Sequence, residues 1–279
     1  MTRHYSTILC AAVAALVALG LVMLASTSAW VSGMEDPYFF LSRQAAYAGV
    51  GLFAAIVVAC LPLEWSRRCA PWAFGVVCVL LVLCYVPGVG VEIYGSKRWI
   101  RVPGIHQFQP SELAKIVVVI CLASWFARWQ SETRTFWRGF VLPGMIAGVP
   151  LLLIAGETDV GSALTLAITV AALLYCVGTR LLFMIPSAMA GVAAVLVYLY
   201  HNENRWDRIL KWWDLENPEY ALGTNMQQIR ALYALGNGGA FGVGLGNGNE
   251  KFGTLTFAHI DFIFPVVGEE LGLAFTLGT

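Results

Sequence analysis

The sequence predicts an all-α integral membrane protein: a polytopic helical bundle of seven spans and the start of an eighth, with a large extracellular loop. Composition is the first observation behind this prediction. The 279 residues are 58% hydrophobic and 12% charged, whereas soluble domains carry about 25% charged residues. The second observation is that apolar stretches of roughly 20 residues, enough to cross a bilayer as a helix, recur along the chain. Lys+Arg and Asp+Glu balance at 17 each, so charge favours no nucleic-acid partner.

Seven segments are long and apolar enough to span a membrane. They are Ser6–Ala29, Ala45–Leu63, Ala70–Val91, Ser111–Ala127, Gly139–Gly156, Val160–Thr179 and Leu181–Tyr200. An eighth span is expected to begin at Phe262, and the chain stops inside it. The apolar core of the first segment is longer than the about 7–15 residues of a signal peptide. We therefore expect this segment to remain as a membrane anchor.

The distribution of Lys and Arg predicts a cytoplasmic N-terminus, because short cytoplasmic loops are enriched in these residues. In this orientation "EWSRRC" (residues 64–69) and "RWQSETRTFWR" (residues 128–138) face the cytoplasm. The outside then receives segments 30–44 and 92–110, the "GETD" turn and a loop of about residues 201–261. The whole of 1–279 is expected to form a single transmembrane domain.

The first half of the loop 201–261 is rich in tryptophan, and its second half is rich in glycine. We expect "RWDRILKWWDLENPEYALG" (residues 205–223) to lie at the membrane interface, where tryptophan is enriched. In "ALGNGGAFGVGLGNGNEK" (residues 234–251) the glycines permit positive φ and close approach of the backbone to a ligand. A dinucleotide fingerprint follows a strand and opens a helix in a βαβ unit. No such unit is predicted, so nucleotide binding is rejected.

Charged residues near the ends of spans are the candidate functional residues, because an ionisable group inside a membrane costs about 2.5–3.5 kcal/mol. Glu112 and Lys115 open the fourth span three residues apart, so they share a helix face and can pair. This pair either stabilises the bundle or serves a ligand. Arg98 lies in the loop before that span, and Arg98 with Lys115 would suit an anionic ligand, phosphate above all. Asp159 either caps the sixth span or serves catalysis.

"AHIDFIFPVVGEELGL" (residues 258–273) places Asp261 at the extracellular mouth of the eighth span. Glu269 follows eight residues later, about 12 Å along a helix, which is too far for both carboxylates to act on one atom. Any chemistry at Asp261 would therefore use a single carboxylate. The structural alternative is that Asp261 caps the helix. Pro265 is expected to kink this helix, which membrane proteins tolerate where a cavity is lined.

Six segments, in order along nearly the whole chain, resemble the SEDS family (shape, elongation, division and sporulation), the FtsW/RodA-type peptidoglycan polymerases. They are "ASTSAW", "DPYFFLSRQAAYAGVG" with Arg43, "KRWIRVPGIHQFQPSELAK", "ETDVGSALTL", "ALGNGGAFGVGLGNGNEK" and "AHIDFIFPVVGEELGL". The third segment is the most diagnostic of the family. The first and fifth segments look most like the cell-division type, although division, elongation and sporulation members share all of these motifs.

The resemblance implies an inverting peptidoglycan glycosyltransferase that polymerises lipid II into β-1,4-linked glycan strands outside the bacterial cytoplasmic membrane. The family aspartate that matches Asp261 is essential for polymerisation, and one carboxylate suffices as a general base. The residues expected to bind substrate are Arg43, Arg98, Glu112, Lys115, Asp159 and Gln227. The leaving pyrophosphate would be neutralised by Arg98, Lys115 or a divalent metal ion, Mg²⁺ or Mn²⁺. No organic cofactor is expected.

The implied partners are a class B penicillin-binding protein, lipid II as substrate, and other membrane proteins of the divisome or elongasome. Two alternative functions remain open at this point. One is a lipid II flippase, and the other is a non-catalytic scaffold or fragment that recruits a penicillin-binding protein. Members of the family have further spans beyond the eighth, and without them the lipid-facing groove is expected to be incomplete.

Overall fold

The structure, a computed structural model, describes residues 2–28, 36, 38–93, 96–102, 105–214, 225–252, 255, 258 and 260–279. In chain order the helices are α1 (Thr2–Ser28), α2 (Phe39–Cys60), α3 (Leu63–Leu83), α4 (Pro110–Arg128), α5 (Leu142–Gly156), α6 (Val160–Val177), α7 (Leu181–Tyr200), α8 (Glu203–Trp213), α9 (Met226–Gly238) and α10 (Ile263–Gly278). Three strands, β1 (Gly90–Ile93), β2 (Ser96–Val102) and β3 (Ile105–Phe108), lie between α3 and α4.

Seven helical segments in the described residues are long and apolar enough to cross a membrane, which confirms the predicted polytopic all-α architecture. The second and third begin at Phe39 and Leu63 rather than at the predicted Ala45 and Ala70. The prediction started each span after its charged residues. The helices instead include Arg43 and the basic residues near the start of α3, since long side chains at a helix end can reach polar surroundings.

Contacts divide the chain into two compact units. The first, here called the terminal unit, combines Met1–Ala59 with Tyr198–Thr279, and the second, the central unit, is Cys60–Val197. The expectation of a single transmembrane domain over 1–279 stays a prediction. The predicted interfacial segment begins with α8, on which Trp212 and Trp213 are exposed. The rest of that segment, residues 215–223, lies outside the described residues.

The core of the central unit lies among α3, α4, α5 and α6. Its most deeply buried side chains are Leu81, Val118, Leu122, Ile154 and Leu166. Lipid tails are as apolar as leucine, so these contacts stabilise the unit through close packing rather than through removal from water.

The polar segment between α3 and α4, predicted to be a loop, folds into a three-stranded antiparallel sheet of order β1-β2-β3. Successive residues of a strand point to opposite faces, so Ser96, Arg98 and Ile100 share one face of β2. Ile100 is buried, whereas Lys97 and Arg101 on the other face are exposed. The sheet therefore directs Arg98 towards the helices of the central unit and the other two cations away from them.

In the terminal unit, α10 is broken in its second half. Gly272 has φ 81° and ψ 171°, far from helical values. The predicted kink at Pro265 is wrong, because Pro265 lies in the first turn of α10. A residue there has no helical hydrogen bond to lose, so proline is tolerated.

The glycine-rich segment fills the break in α10. The N–H of Val243 donates to the carbonyl of Glu269 at 2.9 Å, and the N–H of Leu273 donates to the carbonyl of Gly239 at 2.9 Å. The segment therefore replaces helical hydrogen bonds that the break removes, as irregular backbone in a membrane protein requires.

Two glycines make this insertion possible. A Cβ on Gly272 would lie 2.3 Å from the nitrogen of Gly242, and a Cβ on Gly242 would lie 2.3 Å from the carbonyl oxygen of Glu270. Both glycines also have positive φ, which other residues rarely adopt. The backbone of this segment thus approaches α10 of the same chain closely, while its predicted approach to a ligand stays a prediction.

Candidate functional site

Asp261 lies in a turn immediately before α10, and its side chain is exposed. The helix starts at Ile263, and its N-cap residue is Phe262, without a side-chain capping bond. The alternative in which Asp261 caps the helix is therefore wrong. Among the described residues, no group forms a hydrogen bond or ion pair with the Asp261 carboxylate. Its lone pairs are free to accept a proton from a bound hydroxyl.

The terminal unit also holds the predicted site residues Arg43 and Gln227. The Arg43 guanidinium donates to the hydroxyl of Tyr47 at 3.2 Å and lies 5.3 Å from the centre of the Phe39 ring. In the described part of the chain no carboxylate pairs with Arg43, so its positive charge remains available. Gln227 lies half-buried in the first turn of α9.

In the central unit, Asp159 caps α6, one of its two predicted roles. Its Oδ1 accepts a hydrogen bond from the N–H of Ser162 at 3.1 Å, and its Oδ2 accepts from the Ser162 hydroxyl at 2.8 Å. The amide of Gln109 donates to Oδ2 at 3.1 Å. Arg98 Nη1 lies 3.4 Å from the same oxygen. The structure thus brings the predicted residues Arg98 and Asp159 together, with Asp159 nearly fully buried.

Glu112 and Lys115 form the predicted pair within the first two turns of α4. Lys115 Nζ lies 2.8 Å from Glu112 Oε1, and the Glu112 side chain is 60% exposed. Solvent-exposed ion pairs contribute only about 0–1 kcal/mol. Lys115 can therefore exchange this carboxylate for an anionic ligand at little energetic cost.

Glu157 is a buried acid that sequence reasoning noted only as part of a turn. It is 1% exposed, and neither carboxylate oxygen accepts a hydrogen bond of ordinary geometry from the described chain. Burial raises the pKa of Glu157 to about 7, against the opposing effects of the Cys84 thiol and the Arg98 guanidinium. The only signal in the sequence was a second acid two residues before Asp159.

Glu270, just beyond the apolar run of α10, belongs to a buried network that the sequence did not reveal. Lys251 Nζ donates to its carboxylate at 2.7 Å, and the Ser26 hydroxyl also donates at 2.7 Å. The N–H of Gly246 donates to the other oxygen at 3.0 Å. Glu270 and Lys251 are 1% and 3% exposed. The network ties α1, α10 and the glycine-rich segment together within the terminal unit.

Glu269 completes the attachment of the glycine-rich segment. Its two oxygens accept hydrogen bonds from the backbone N–H groups of Asn249 and Glu250, at 2.9 and 3.2 Å. The side chain is fully buried. A buried carboxylate whose oxygens are all bonded holds structure rather than a reacting group.

Metal binding was predicted as one way to neutralise a leaving pyrophosphate. In the part of the chain that the structure describes, no three His, Cys, Asp or Glu side chains form a group that could hold a metal ion. The described residues therefore supply no full protein cage. Mg²⁺ is often held by one or two carboxylates together with substrate phosphates, so the metal stays a prediction.

Fold and site together define a multi-pass helical membrane protein in which an exposed aspartate, without a partner among the described residues, precedes a short, broken helix. A family model described as FTSW_RODA_SPOVE, cell cycle protein, matches residues 6–277. The chain belongs to the FtsW/RodA/SpoVE family, which confirms the resemblance found in the six sequence segments.

Relatives with named activities align with almost the whole of this chain. A probable peptidoglycan glycosyltransferase FtsW of Trichlorobacter lovleyi is 38% identical, and the alignment covers 96% of this chain and 70% of the relative. The protein of the same name from Saccharophagus degradans is 32% identical, with 97% and 70% covered.

Two solved structures are similar as well. One is a chain from a peptidoglycan synthase complex that coordinates polymerization and crosslinking; it superposes with a TM-score of 0.70 at 28% identity, covering 95% of this chain and 71% of the other. The other is the rod shape determining protein RodA of Thermus thermophilus, with a TM-score of 0.55 at 30% identity, covering 67% and 57%.

Proposed function

We propose that Asp261 is the general base with which this peptidoglycan glycosyltransferase polymerises lipid II. The observation that carries the proposal is the state of the side chain: exposed, placed just before α10, and without a partner among the described residues. The other acids of that stretch, Glu269 and Glu270, have their oxygens bonded and buried. Asp261 is therefore the acid of that stretch that is free for proton transfer.

The chemistry requires one base. The 4-hydroxyl of the acceptor sugar attacks C1 of the donor sugar, the bond from C1 to the lipid pyrophosphate breaks, and Asp261 takes the hydroxyl proton. Inversion at C1 converts an α-linked pyrophosphate into a β-1,4 link. A positioned general base contributes about 10²- to 10⁴-fold to such a step. The pyrophosphate leaves as an anion, so it needs cations rather than a second carboxylic acid.

Lys115 and Arg98 are the cations proposed for the pyrophosphate. Lys115 is held by the exposed Glu112, which a phosphate can replace. Arg98 is oriented by Asp159 and has a buried Nε atom without a partner in the described chain. Arg43, whose charge is unpaired among the described residues, and Gln227 are proposed as further contacts to the substrate.

We place the reaction at the outer face of the bacterial cytoplasmic membrane, with the N-terminus in the cytoplasm, on the distribution of Lys and Arg. The relatives named FtsW support a role in cell division. The similar chain from a peptidoglycan synthase complex supports a class B penicillin-binding protein as partner, with other divisome or elongasome proteins around it.

The test is glycan synthesis from fluorescent lipid II by purified protein, with its penicillin-binding protein partner present. Asp261→Asn is expected to form no glycan chains. Asp207→Asn, which removes another exposed aspartate of the terminal unit, is the matched control and is expected to polymerise normally. Polymerisation by Asp261→Asn at the wild-type rate would overturn the assignment. Proteoliposomes in which wild-type protein moves lipid II across the bilayer but forms no polymer would indicate the flippase, and partner binding with neither activity would indicate the scaffold.

A further inference from the structure

A pocket lies at the end of the central unit away from the sheet. It has a volume of about 600 Å³ and is formed by the first turns of α3, the second half of α4 and the start of α5. Pockets for small ligands span about 300–1,000 Å³. The sheet follows the C-terminal end of α3 and precedes α4, so this pocket is separated from Arg98 and Lys115 by the length of the helices. The substrate binding proposed above involves no residue of this pocket.

Three arginines stand on the rim of this pocket: Arg67, Arg68 and Arg128. None of them forms an ion pair with a carboxylate of the described chain. Arg138, nearby in sequence, behaves differently, because it pairs with Glu132 and lies 3.9 Å from the centre of the Trp129 ring. The rim also contains one acid, Glu64, so the local balance stays positive.

The floor of the pocket is apolar and held by helix contacts. Its lining includes Ala70, Phe74 and Ile146. The Cys121 thiol donates to the carbonyl of Ala70 at 3.2 Å, which links α4 to α3. Side chains on packed helices keep a site more rigid than side chains on loops. The helices that carry the cationic rim and the apolar floor are therefore held against each other.

We propose that this pocket binds the phosphate headgroup of an anionic phospholipid. Arginine matches phosphate through paired hydrogen bonds, and basic pockets between membrane helices on the cytoplasmic side bind anionic headgroups. The apolar floor favours a ligand that carries acyl chains over a free phosphate ion. By the distribution of Lys and Arg, this end of the unit is the one predicted to face the cytoplasm.

The test is native mass spectrometry of the full chain in mild detergent, titrated separately with phosphatidylglycerol, phosphatidylcholine and inorganic phosphate. The wild type is expected to bind phosphatidylglycerol in preference to the other two. The double variant Arg67→Gln/Arg128→Gln is expected to bind phosphatidylglycerol roughly 30-fold more weakly, from two lost headgroup contacts. The matched control Arg134→Gln/Arg180→Gln removes the same charge from the same predicted side, outside the pocket, and is expected to bind like the wild type.

A third variant keeps every charge. Ser124→Phe places a ring in the pocket from a half-buried position on α4, and it is expected to lose the preference for phosphatidylglycerol as well. If the arginine double variant fails to fold, the Ser124→Phe protein still tests the proposal. Equal binding of the two lipids by the wild type, or phosphate binding as tight as phosphatidylglycerol, would overturn the proposal. So would an equal loss in the control variant, or a Ser124→Phe protein that binds like the wild type.

Discussion

Asp261 and Glu270 stand at opposite ends of one apolar run, and their surroundings differ in every respect that matters for chemistry. Asp261 is exposed and has no partner in the described chain. Glu270 is buried and bonded to a lysine, a serine and a backbone N–H. The two carboxylates are chemically alike, so partners and burial decide which one can take a proton from a substrate.

Glu157 adds a third environment, in the central unit. It is buried like Glu270 but lacks hydrogen bonds of ordinary geometry from the described residues, like Asp261. Burial without partners disfavours the charged form, which is why its pKa is raised. Comparison of the three acids therefore distinguishes the effect of burial from the effect of hydrogen-bond partners, and substitutions can test each effect.

The largest expected effect on stability comes from breaking the buried ion pair. Lys251→Met leaves Glu270 buried without its cation, which costs about 3–5 kcal/mol when a buried pair loses one member. The free energy of unfolding, measured by steric trapping in bicelles, checks this value. The control Lys97→Met breaks a pair with Glu92 in which both side chains are more than half exposed, and it is expected to cost less than about 1 kcal/mol. Equal losses in the two variants would mean that the network does not hold the terminal unit.

The next effect tests how the glycine-rich segment enters α10. Gly272→Ala places a methyl group 2.3 Å from the nitrogen of Gly242 at a positive φ, so the segment must shift, at an expected cost of about 1–3 kcal/mol. Gly236→Ala, in α9, has nothing within 4 Å of the new Cβ. That change is expected to stabilise the helix by up to about 1 kcal/mol. The same measurement of the unfolding free energy shows which change destabilises the protein and which stabilises it. A stabilising effect of Gly272→Ala would contradict the insertion of the glycine-rich segment into α10.

The third effect is a pH dependence. The folded-state pKa of Glu157 is raised to about 7, so the folded protein binds more protons than the unfolded chain from about pH 4.5 to about pH 7. Stability therefore falls as pH rises through this window, by about 1 kcal/mol between pH 6 and pH 7 from this group. Glu157→Gln should remove that part of the pH dependence of the unfolding free energy. Glu203→Gln, on the exposed start of α8, should leave the pH dependence unchanged. Identical slopes in wild type and Glu157→Gln would show that Glu157 is not buried and unpaired.

The sequence predicted the spans well because a bilayer imposes a length and a polarity on each helix. It also predicted the pairing of Glu112 with Lys115, since a spacing of three residues fixes their common face. The sheet that carries Arg98 was missed, because a short polar segment between two spans resembles any loop.

The buried network was missed for a different reason. Ser26, Lys251 and Glu270 come from distant parts of the chain, and only the tertiary structure brings them together. A kink was predicted at Pro265 because proline is the usual cause of one. A proline in the first turn has no helical hydrogen bond to lose, and the break lies at Gly272 instead. The glycine-rich segment was predicted to allow close approach of the backbone to a ligand, and the structure shows a close approach to α10 of the same chain.

The most direct test of the account is the initial rate of glycan formation per folded molecule for Asp261→Asn, measured with the unfolding free energy of the same sample. Because Asp261 has no partner in the described chain, the unfolding free energy of the Asp261→Asn protein should stay within about 0.5 kcal/mol of the wild-type value. The rate should fall at least about 100-fold, as expected for the loss of a general base. A stable Asp261→Asn protein that forms glycan at the wild-type rate would contradict the account.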